Sequence, residues 1–144
     1  MIKADEIVKK YPKIFVNRWG YPSVGNGWLP IVDKICEKIQ NYVDDTANIE
    51  QVVVSQIKEK FASLCYYIES GDNYVYDVIR EGEKVSRYTC ECCGTKENVG
   101  RTYNGWSLTI CDNCHKTVDY YKGRDWKLNT EQYGDIKPTL KHNF

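Results

Sequence analysis

Residues 90–114 read CECCGTKENVGRTYNGWSLTICDNC and hold five of the seven cysteines in a chain of 144 residues. Two pairs can be drawn from them, Cys90 with Cys93 and Cys111 with Cys114, and 17 residues separate the pairs. This spacing is typical of four-cysteine zinc sites. Two thiolates three positions apart in a tight turn can reach one tetrahedral ion, with each sulfur about 2.3 Å from the metal. The pattern therefore predicts one structural Zn²⁺ held by these four cysteines.

Gly94 favours Cys93 over Cys92 as the second ligand. A glycine directly after the second cysteine can adopt a positive φ and lets backbone N–H groups point at the sulfurs. Cys92 has no such glycine after it, so we expect its side chain to point away from the metal. His115, which follows Cys114, is an alternative fourth ligand. Either ligand set leaves no open coordination position, which predicts a structural rather than a catalytic metal.

The segment between the two cysteine pairs predicts a β-hairpin. Residues 99–103 and 106–110 contain β-branched and aromatic side chains, which favour strands. Asn104 and Gly105 lie between them and are the strongest short signal for a two-residue type I′ turn.

A helix is predicted after the second cysteine pair. Asp112 is suited to cap its start, and Gly123 to end it after about residue 122. A cysteine turn, a hairpin and a cysteine pair at a helix start occur in this order over residues 90–123. That order resembles the treble-clef group of zinc folds.

The chain before the cysteines predicts helices around a short hairpin. Helices are expected over residues 3–10 and 28–43, the second with apolar side chains at the 3.6-residue period, and a loop over residues 17–27. Asp72 is a candidate N-cap for a third helix that leads into the cysteines.

Residues 52–69 fit either a helical stripe or two antiparallel strands. We favour the strands, with Ala62 and Ser63 at the turn, because the segment is rich in β-branched and aromatic residues. The predicted fold is α+β, in one compact domain of residues 1–144. Its parts are a helical and hairpin half at 1–89, a zinc module at 90–123 and a C-terminal extension at 124–144.

The composition limits the classes of protein to be considered. Twenty Lys and Arg balance twenty Asp and Glu, and this zero net charge argues against an extended nucleic-acid-wrapping surface. No apolar run approaches the ~20 residues of a membrane span, so no membrane association is expected. An odd number of cysteines and an N-terminus without a signal-peptide pattern predict a reducing compartment, the cytoplasm.

Catalysis is not predicted. Treble-clef folds also occur in HNH-type nucleases, which need a histidine general base in the hairpin and a second metal site. The two histidines, His115 and His142, both lie outside residues 99–110. The sequence also lacks the motifs of serine hydrolases, P-loop proteins and zinc proteases.

Aromatic residues make up 13% of the chain, and Tyr and Trp often anchor binding interfaces. They concentrate in the loop after residue 17, at the tip of the second hairpin and in the C-terminal stretch, where basic residues are interleaved. Such interleaving is typical of single-stranded nucleic-acid sites, but packing of the aromatics on the zinc module also accounts for it. The candidate binding residues are Trp19, Tyr21, Trp28, Arg101, Tyr103, Trp106, Arg124 and Trp126.

Three stretches together resemble a known group of proteins. These are GNGWL at 25–29, IKEKFASLCYY at 57–67, and the cysteine turn with its Gly105-Trp106 hairpin. They resemble small zinc-binding proteins of bacteriophages and prophages, mostly of unassigned function, over residues 11–118. The resemblance implies a phage-encoded accessory protein in a bacterial host cell and implies no reaction. Cys92 and the long tail depart from the pattern of that group.

The sequence thus predicts a non-catalytic accessory protein that binds and modulates a host or defence-system protein. A structural zinc would keep its binding surface rigid, which reduces the entropy lost on association. A nucleic-acid-binding zinc module, using Arg101, Trp106 and the tail, is one alternative. A protein that sequesters a nucleotide-like small ligand is another. No feature of the sequence indicates an oligomeric state.

Overall fold

The computed structural model describes residues 1–144 and confirms the α+β fold class. The elements, in chain order, are α1 (Ala4–Lys10), α2 (Leu29–Asp45), β1 (Val54–Lys60), β2 (Ser63–Ile68), α3 (Asn73–Ser86), β3 (Val99–Tyr103), β4 (Thr109–Cys111), α4 (Asp112–Thr117), β5 (Asp125–Leu128) and α5 (Tyr133–Ile136). Short 3-10 turns at Arg18–Gly20 and Asn26–Trp28 lie within the predicted loop.

The larger core lies between α2, α3 and the β1–β2 hairpin. The apolar stripe of α2, with Ile35 at its centre, meets Ile57 of β1 and Val78 of α3 in one buried cluster. The start of α3 is fixed as predicted, because the Asp72 side chain accepts a hydrogen bond from the Val75 backbone N–H at 3.1 Å. This core supports the cysteine cluster that follows α3.

Strands β1 and β2 form the antiparallel hairpin favoured for residues 52–69. The turn is one residue earlier than predicted, at Phe61 and Ala62, and both residues have positive φ, at 52° and 62°. A right-twisted hairpin requires this left-handed geometry at a two-residue turn. Neither residue is the Gly or Asn that such turns favour, which is why the turn was predicted one residue too late.

Strands β4, β3 and β5 form a second antiparallel sheet in that spatial order. The predicted two-residue turn at Asn104 and Gly105 is wrong, because the connection from β3 to β4 spans residues 104–108. The Thr102 side chain accounts for the longer loop. Its hydroxyl accepts from the Leu108 N–H and donates to the Trp106 carbonyl, both at 2.8 Å.

The C-terminal part also differs from the prediction. Helix α4 ends at Thr117 rather than near residue 122, because Val118 turns to an extended conformation. The chain then reverses through Gly123, which has a φ of +80°, and β5 pairs with β3. Ile136 is buried and Phe144 packs on the larger core. The tail is therefore an integral part of the fold and not a free arm.

None of the helices combines the length and the apolar character that crossing a membrane requires.

Candidate metal centre

The first cysteine pair lies in a tight turn directly after α3. Gly94 has a φ of +82°, as its position after Cys93 predicted, and its N–H donates to the Cys90 carbonyl at 2.9 Å. The Cys93 N–H points at the Cys90 sulfur across 3.5 Å. Backbone donors aimed at a sulfur favour its thiolate form, which is the form that binds metal.

The second pair lies where β4 meets α4. Cys111 is the last residue of the strand and the N-cap of the helix, and its sulfur accepts from the Cys114 N–H at 3.4 Å. Cys114 belongs to the first helical turn. A strand and a helix thus fix the two sulfurs from opposite sides, and the order of turn, hairpin and helix start follows the predicted treble-clef arrangement.

The four sulfurs of Cys90, Cys93, Cys111 and Cys114 all lie within 4.8 Å of one another. The sulfurs of Cys93 and Cys111 are 3.7 Å apart. Four ligands at about 2.3 Å around a tetrahedral ion stand about 3.8 Å from each other. The cluster therefore fits a structural metal site with all of its ligand positions filled by the protein.

Burial sets the protonation of these thiols. It raises the pKa of Cys90 to about 11 and that of Cys114 well above the ordinary thiol value. Burial also acts against ionisation of Cys93, but hydrogen bonds from the Thr95 backbone and the neighbouring thiols outweigh it and lower the pKa of Cys93. Several thiolates in one buried cluster need a cation to balance their charge, and a bound divalent metal supplies that balance.

Two other candidate ligands lie outside the cluster. The Cys92 sulfur is not one of the four, although it lies near Cys114 and contributes to raising the pKa of that thiol. His115 turns away, because its Nε2 is 2.7 Å from the Arg124 carbonyl and its ring stacks on Trp126 at 5.5 Å. The alternative with His115 as the fourth ligand is therefore wrong for this arrangement.

No family model matches the chain. Neither the curated proteins nor the solved structures give a match. The metal centre and the surface around it must therefore be interpreted from their own geometry.

A segment from the N-terminal half packs over the cysteine turn. The Gly25 N–H donates to the Glu91 side chain at 3.0 Å, and the Gly27 N–H donates to the Glu91 carbonyl at 2.8 Å. The Trp28 indole N–H donates to the Thr89 carbonyl at 2.8 Å. These bonds join the two halves of the protein directly beside the metal ligands.

Trp28 is consequently not a surface residue. Its side chain is 0% exposed, which makes the prediction that it lines a binding surface wrong. A tryptophan after a glycine-rich loop looked accessible, but its indole N–H has a buried partner in Thr89. Buried Trp residues usually satisfy that donor in this way.

The other candidate binding residues divide into two sets. Trp126 is half-buried on the metal module and donates to the Ile110 carbonyl at 3.0 Å, and Arg124 lies over the ring of Tyr120. The residues with large exposed faces are Trp19, Tyr21, Tyr103 and Trp106. Arg101 belongs to neither set, because it is half-buried in the middle of β3.

Sequence reasoning missed Phe61, the most exposed aromatic side chain at 83%. It stands at the tip of the first hairpin, next to Trp106 at the tip of the second. The Trp106 indole N–H donates to Glu59 at 3.0 Å, and the Thr109 hydroxyl donates to the Ala62 carbonyl at 2.6 Å. An aromatic residue at a predicted turn, where Gly or Asn is usual, was the available signal.

Proposed function

We propose that this protein is a non-catalytic binding protein, held rigid by one structural Zn²⁺, that attaches to a partner protein. The binding region is the hairpin-tip surface, formed by Lys58, Glu59, Lys60, Phe61 and Trp106 together with the loop residues beside Trp106. The observation that carries the proposal is the exposure of two aromatic rings on rigid, mutually bonded hairpin tips.

The metal in this proposal is zinc because of its ligands. Four thiolates in a tetrahedral arrangement are typical of Zn²⁺, and four protein ligands leave no position for a reacting water. The ion would therefore fix the β3–β4 hairpin in place. Trp106 stands on that hairpin, so zinc holds one half of the binding surface against the other.

The hairpin-tip surface has the features of an interface anchor. Phe61 and Trp106 are 83% and 65% exposed, and a cavity of about 440 Å³ opens between the two hairpins. Glu59 bridges the tips, since one carboxylate oxygen accepts from the Trp106 indole and the other from the Ala62 N–H at 2.9 Å. Preorganised aromatic side chains around a cavity are common hot spots in protein interfaces.

Phe61 also holds a backbone conformation that a bulky residue rarely adopts. A left-handed conformation costs a non-glycine residue about 1–2 kcal/mol. The ring buries almost none of its surface within the chain, so internal packing does not offset this cost. Strained backbone at an exposed site is typical of functional positions, which supports a role for the Phe61 ring in binding.

The proposal has no catalytic step. His115 bonds a backbone carbonyl and His142 faces Glu81, so neither histidine extends into the β3–β4 hairpin as a nuclease base would. The sequence resemblance to phage and prophage zinc proteins supports an accessory role in the cytoplasm of an infected bacterial cell. The partner would then be a host or defence-system protein that the binding modulates.

Affinity capture with the full-length, zinc-loaded protein in a bacterial host tests this function. We expect a co-purifying protein at stoichiometric level with the wild type, and loss of it with Phe61→Asn or Trp106→Gln. Tyr120→Asn serves as the matched control, because Tyr120 is as exposed as Trp106 but does not line the cavity between the hairpins. Equal capture by all four proteins would contradict the proposal. Native mass spectrometry of each sample reports zinc content and partner together.

A further inference from the structure

A second cleft opens along the second sheet, beside the β3–β4 loop. Strands β3 and β5 and the residues after β5 line it, and its volume is about 630 Å³. The residues that matter for its chemistry are Arg101, Tyr103, Lys127, Asn129 and Thr130, and we refer to it as the Arg101 cleft. It is separate from the metal centre and adjoins the hairpin-tip surface at Ser107, which lines both cavities.

Arg101 is a cation without a partner in the protein. Its Nε is buried and has no hydrogen-bond acceptor, and no carboxylate oxygen lies within 4.0 Å of its guanidinium. A guanidinium keeps its charge at every ordinary pH. The terminal guanidinium nitrogens also lack an acceptor but are not buried, so an anion bound in the cleft can accept hydrogen bonds from them and balance the unpaired charge.

The sheet places a second cation and an aromatic ring beside Arg101. Lys127 lies directly opposite Arg101 in the β3–β5 register, so both side chains project from the same face. Tyr103 is two residues further along β3 and half exposed, about 7 Å from Arg101 on that face. A phosphate bound by Arg101 and Lys127 would thus lie about one nucleotide's length from the Tyr103 ring, on which a base can stack.

Nearby acidic groups do not neutralise the Arg101 cleft. Arg101 also lines a smaller adjoining cavity of about 170 Å³, together with Arg87 and Glu131. Glu131 accepts a hydrogen bond from the Tyr88 hydroxyl at 2.8 Å, and Arg87 donates to Ser63. Asp125, across from Tyr103, accepts from Asn104 at 3.1 Å. Both carboxylates keep their charge, but Arg101, Lys127 and Arg87 outnumber them, so the region stays net positive.

We propose that the Arg101 cleft binds the phosphate group of a nucleotide. Arg101 donates hydrogen bonds to the phosphate oxygens, Lys127 adds a second positive charge, and the base stacks on the Tyr103 ring. Charge-assisted bonds from Arg to phosphate are strong and directional, and stacking on a tyrosine tolerates any base. The phosphate comes either from a free nucleotide or from a single strand of nucleic acid.

Fluorescence anisotropy with the full-length, zinc-loaded protein and a fluorescein-labelled oligouridylate tests the cleft. Uridine monophosphate and inorganic phosphate serve as competitors. We expect Arg101→Gln to weaken binding by about tenfold or more, since a charge-assisted bond is lost. The control Arg80→Gln removes an exposed arginine from α3 and should change the affinity less than twofold. Tyr103→Ser should weaken binding, whereas Tyr76→Ser should not.

The competitors distinguish the source of the phosphate. Displacement by uridine monophosphate at concentrations similar to those of the oligomer supports a free nucleotide as the ligand. Binding of the oligomer alone, with an affinity that falls steeply with salt, supports a single strand. Absence of binding by every probe, or equal losses in Arg101→Gln and Arg80→Gln, would overturn the proposal.

A measurement on the unmodified chain guards against a variant that fails to fold. The Arg101 Nε–H gives its own signal in a ¹⁵N-correlated NMR spectrum. We expect this signal to shift on titration with uridine monophosphate, while the Arg80 signal stays in place. An Arg101 signal that moves with neither uridine monophosphate nor oligouridylate would overturn the proposal. Neither readout depends on Phe61 or on a protein partner.

Discussion

Gly27 lies against the backbone carbonyl of Cys90, so closely that a β-carbon at position 27 would stand 2.1 Å from that oxygen. The same β-carbon would be 2.5 Å from the Gly94 nitrogen. Real contacts of this kind do not fall below about 3 Å, because atoms in a packed interior cannot overlap. The loop before α2 and the cysteine turn therefore fit together only if residue 27 has no side chain.

Gly27→Ala should lower the free energy of unfolding by about 2–3 kcal/mol, because the turn must move to admit a methyl group. Urea unfolding of the zinc-loaded protein measures this change. Gly134→Ala is the matched control, since nothing lies within 4 Å of a β-carbon there, and it should change stability by less than about 1 kcal/mol. Similar values for both variants would show that the turn is not tightly packed.

Removal of the metal should unfold at least residues 90–123. Cys90 and Cys114 belong to the smaller buried cluster with Val99 and Ile110, and a structural zinc contributes on the order of 10 kcal/mol to folding in small domains. Circular dichroism and hydrogen exchange after treatment with a strong chelator test this. A spectrum that is unchanged by chelation and heating would contradict the prediction.

Cys93→Ser should abolish stoichiometric metal binding and lower the melting temperature, because it removes one of four converging sulfurs. Cys92→Ser should keep one metal ion per chain, with little change in stability. Elemental analysis of the two purified variants makes the comparison. Equal loss of metal in both would assign Cys92 a ligand role.

Phe61→Asn should raise the free energy of unfolding by about 0.5–1 kcal/mol, because asparagine adopts the left-handed conformation more readily. Phe61→Ala removes the same ring but does not relieve the strain of the left-handed backbone, so its stability should stay near that of the wild type. Denaturant titrations of the three proteins separate the two effects. A loss of stability in Phe61→Asn would mean that the ring packs internally after all.

Glu83→Gln should stabilise the protein slightly at neutral pH. Burial raises the pKa of Glu83 above 4.5, so the folded state disfavours its charged form, although its carboxylate accepts from the Tyr66 N–H at 2.9 Å. Wild-type stability therefore falls relative to the variant as pH rises through that raised pKa. The gain should be about 0.5 kcal/mol, because the side chain is partly exposed and solvent screens its charge.

Thermal unfolding at several pH values checks this behaviour. The advantage of Glu83→Gln should be largest at neutral pH and above, and should shrink as the pH falls through the raised pKa of Glu83, because the wild-type carboxyl then takes up its proton. Glu83→Ala, which also removes the acceptor for the Tyr66 N–H, should be less stable than the wild type at every pH.

Local chemistry made the metal centre and the start of α3 predictable, whereas the cap of α4 is Cys111 and not the predicted Asp112. Cysteine spacing and Gly94 specify the first turn within a few residues, and Asp72 caps the neighbouring helix through its own side chain. Chain segments close in sequence decide these features. Sequence patterns record such features directly, which is why the predicted ligand set and the observed sulfur cluster coincide.

Long-range packing was not predictable in the same way. The pairing of β5 with β3, the burial of Trp28 and the meeting of Phe61 with Trp106 all depend on segments far apart in the chain. The two-residue turn predicted at Asn104 and Gly105 is wrong for a local reason, because the Thr102 hydroxyl bonds residues 106 and 108 and stabilises a longer loop.

The bond between the Trp28 indole and the Thr89 carbonyl spans 61 positions of the chain, and it sets an order of events during synthesis. At about 5–20 residues per second, the tryptophan leaves the ribosome roughly 3–12 seconds before its acceptor does. The loop around Trp28 cannot pack over the cysteine turn until that turn has also left the ribosome. The joint between the two halves beside the metal ligands therefore forms only after most of the N-terminal core has been synthesised.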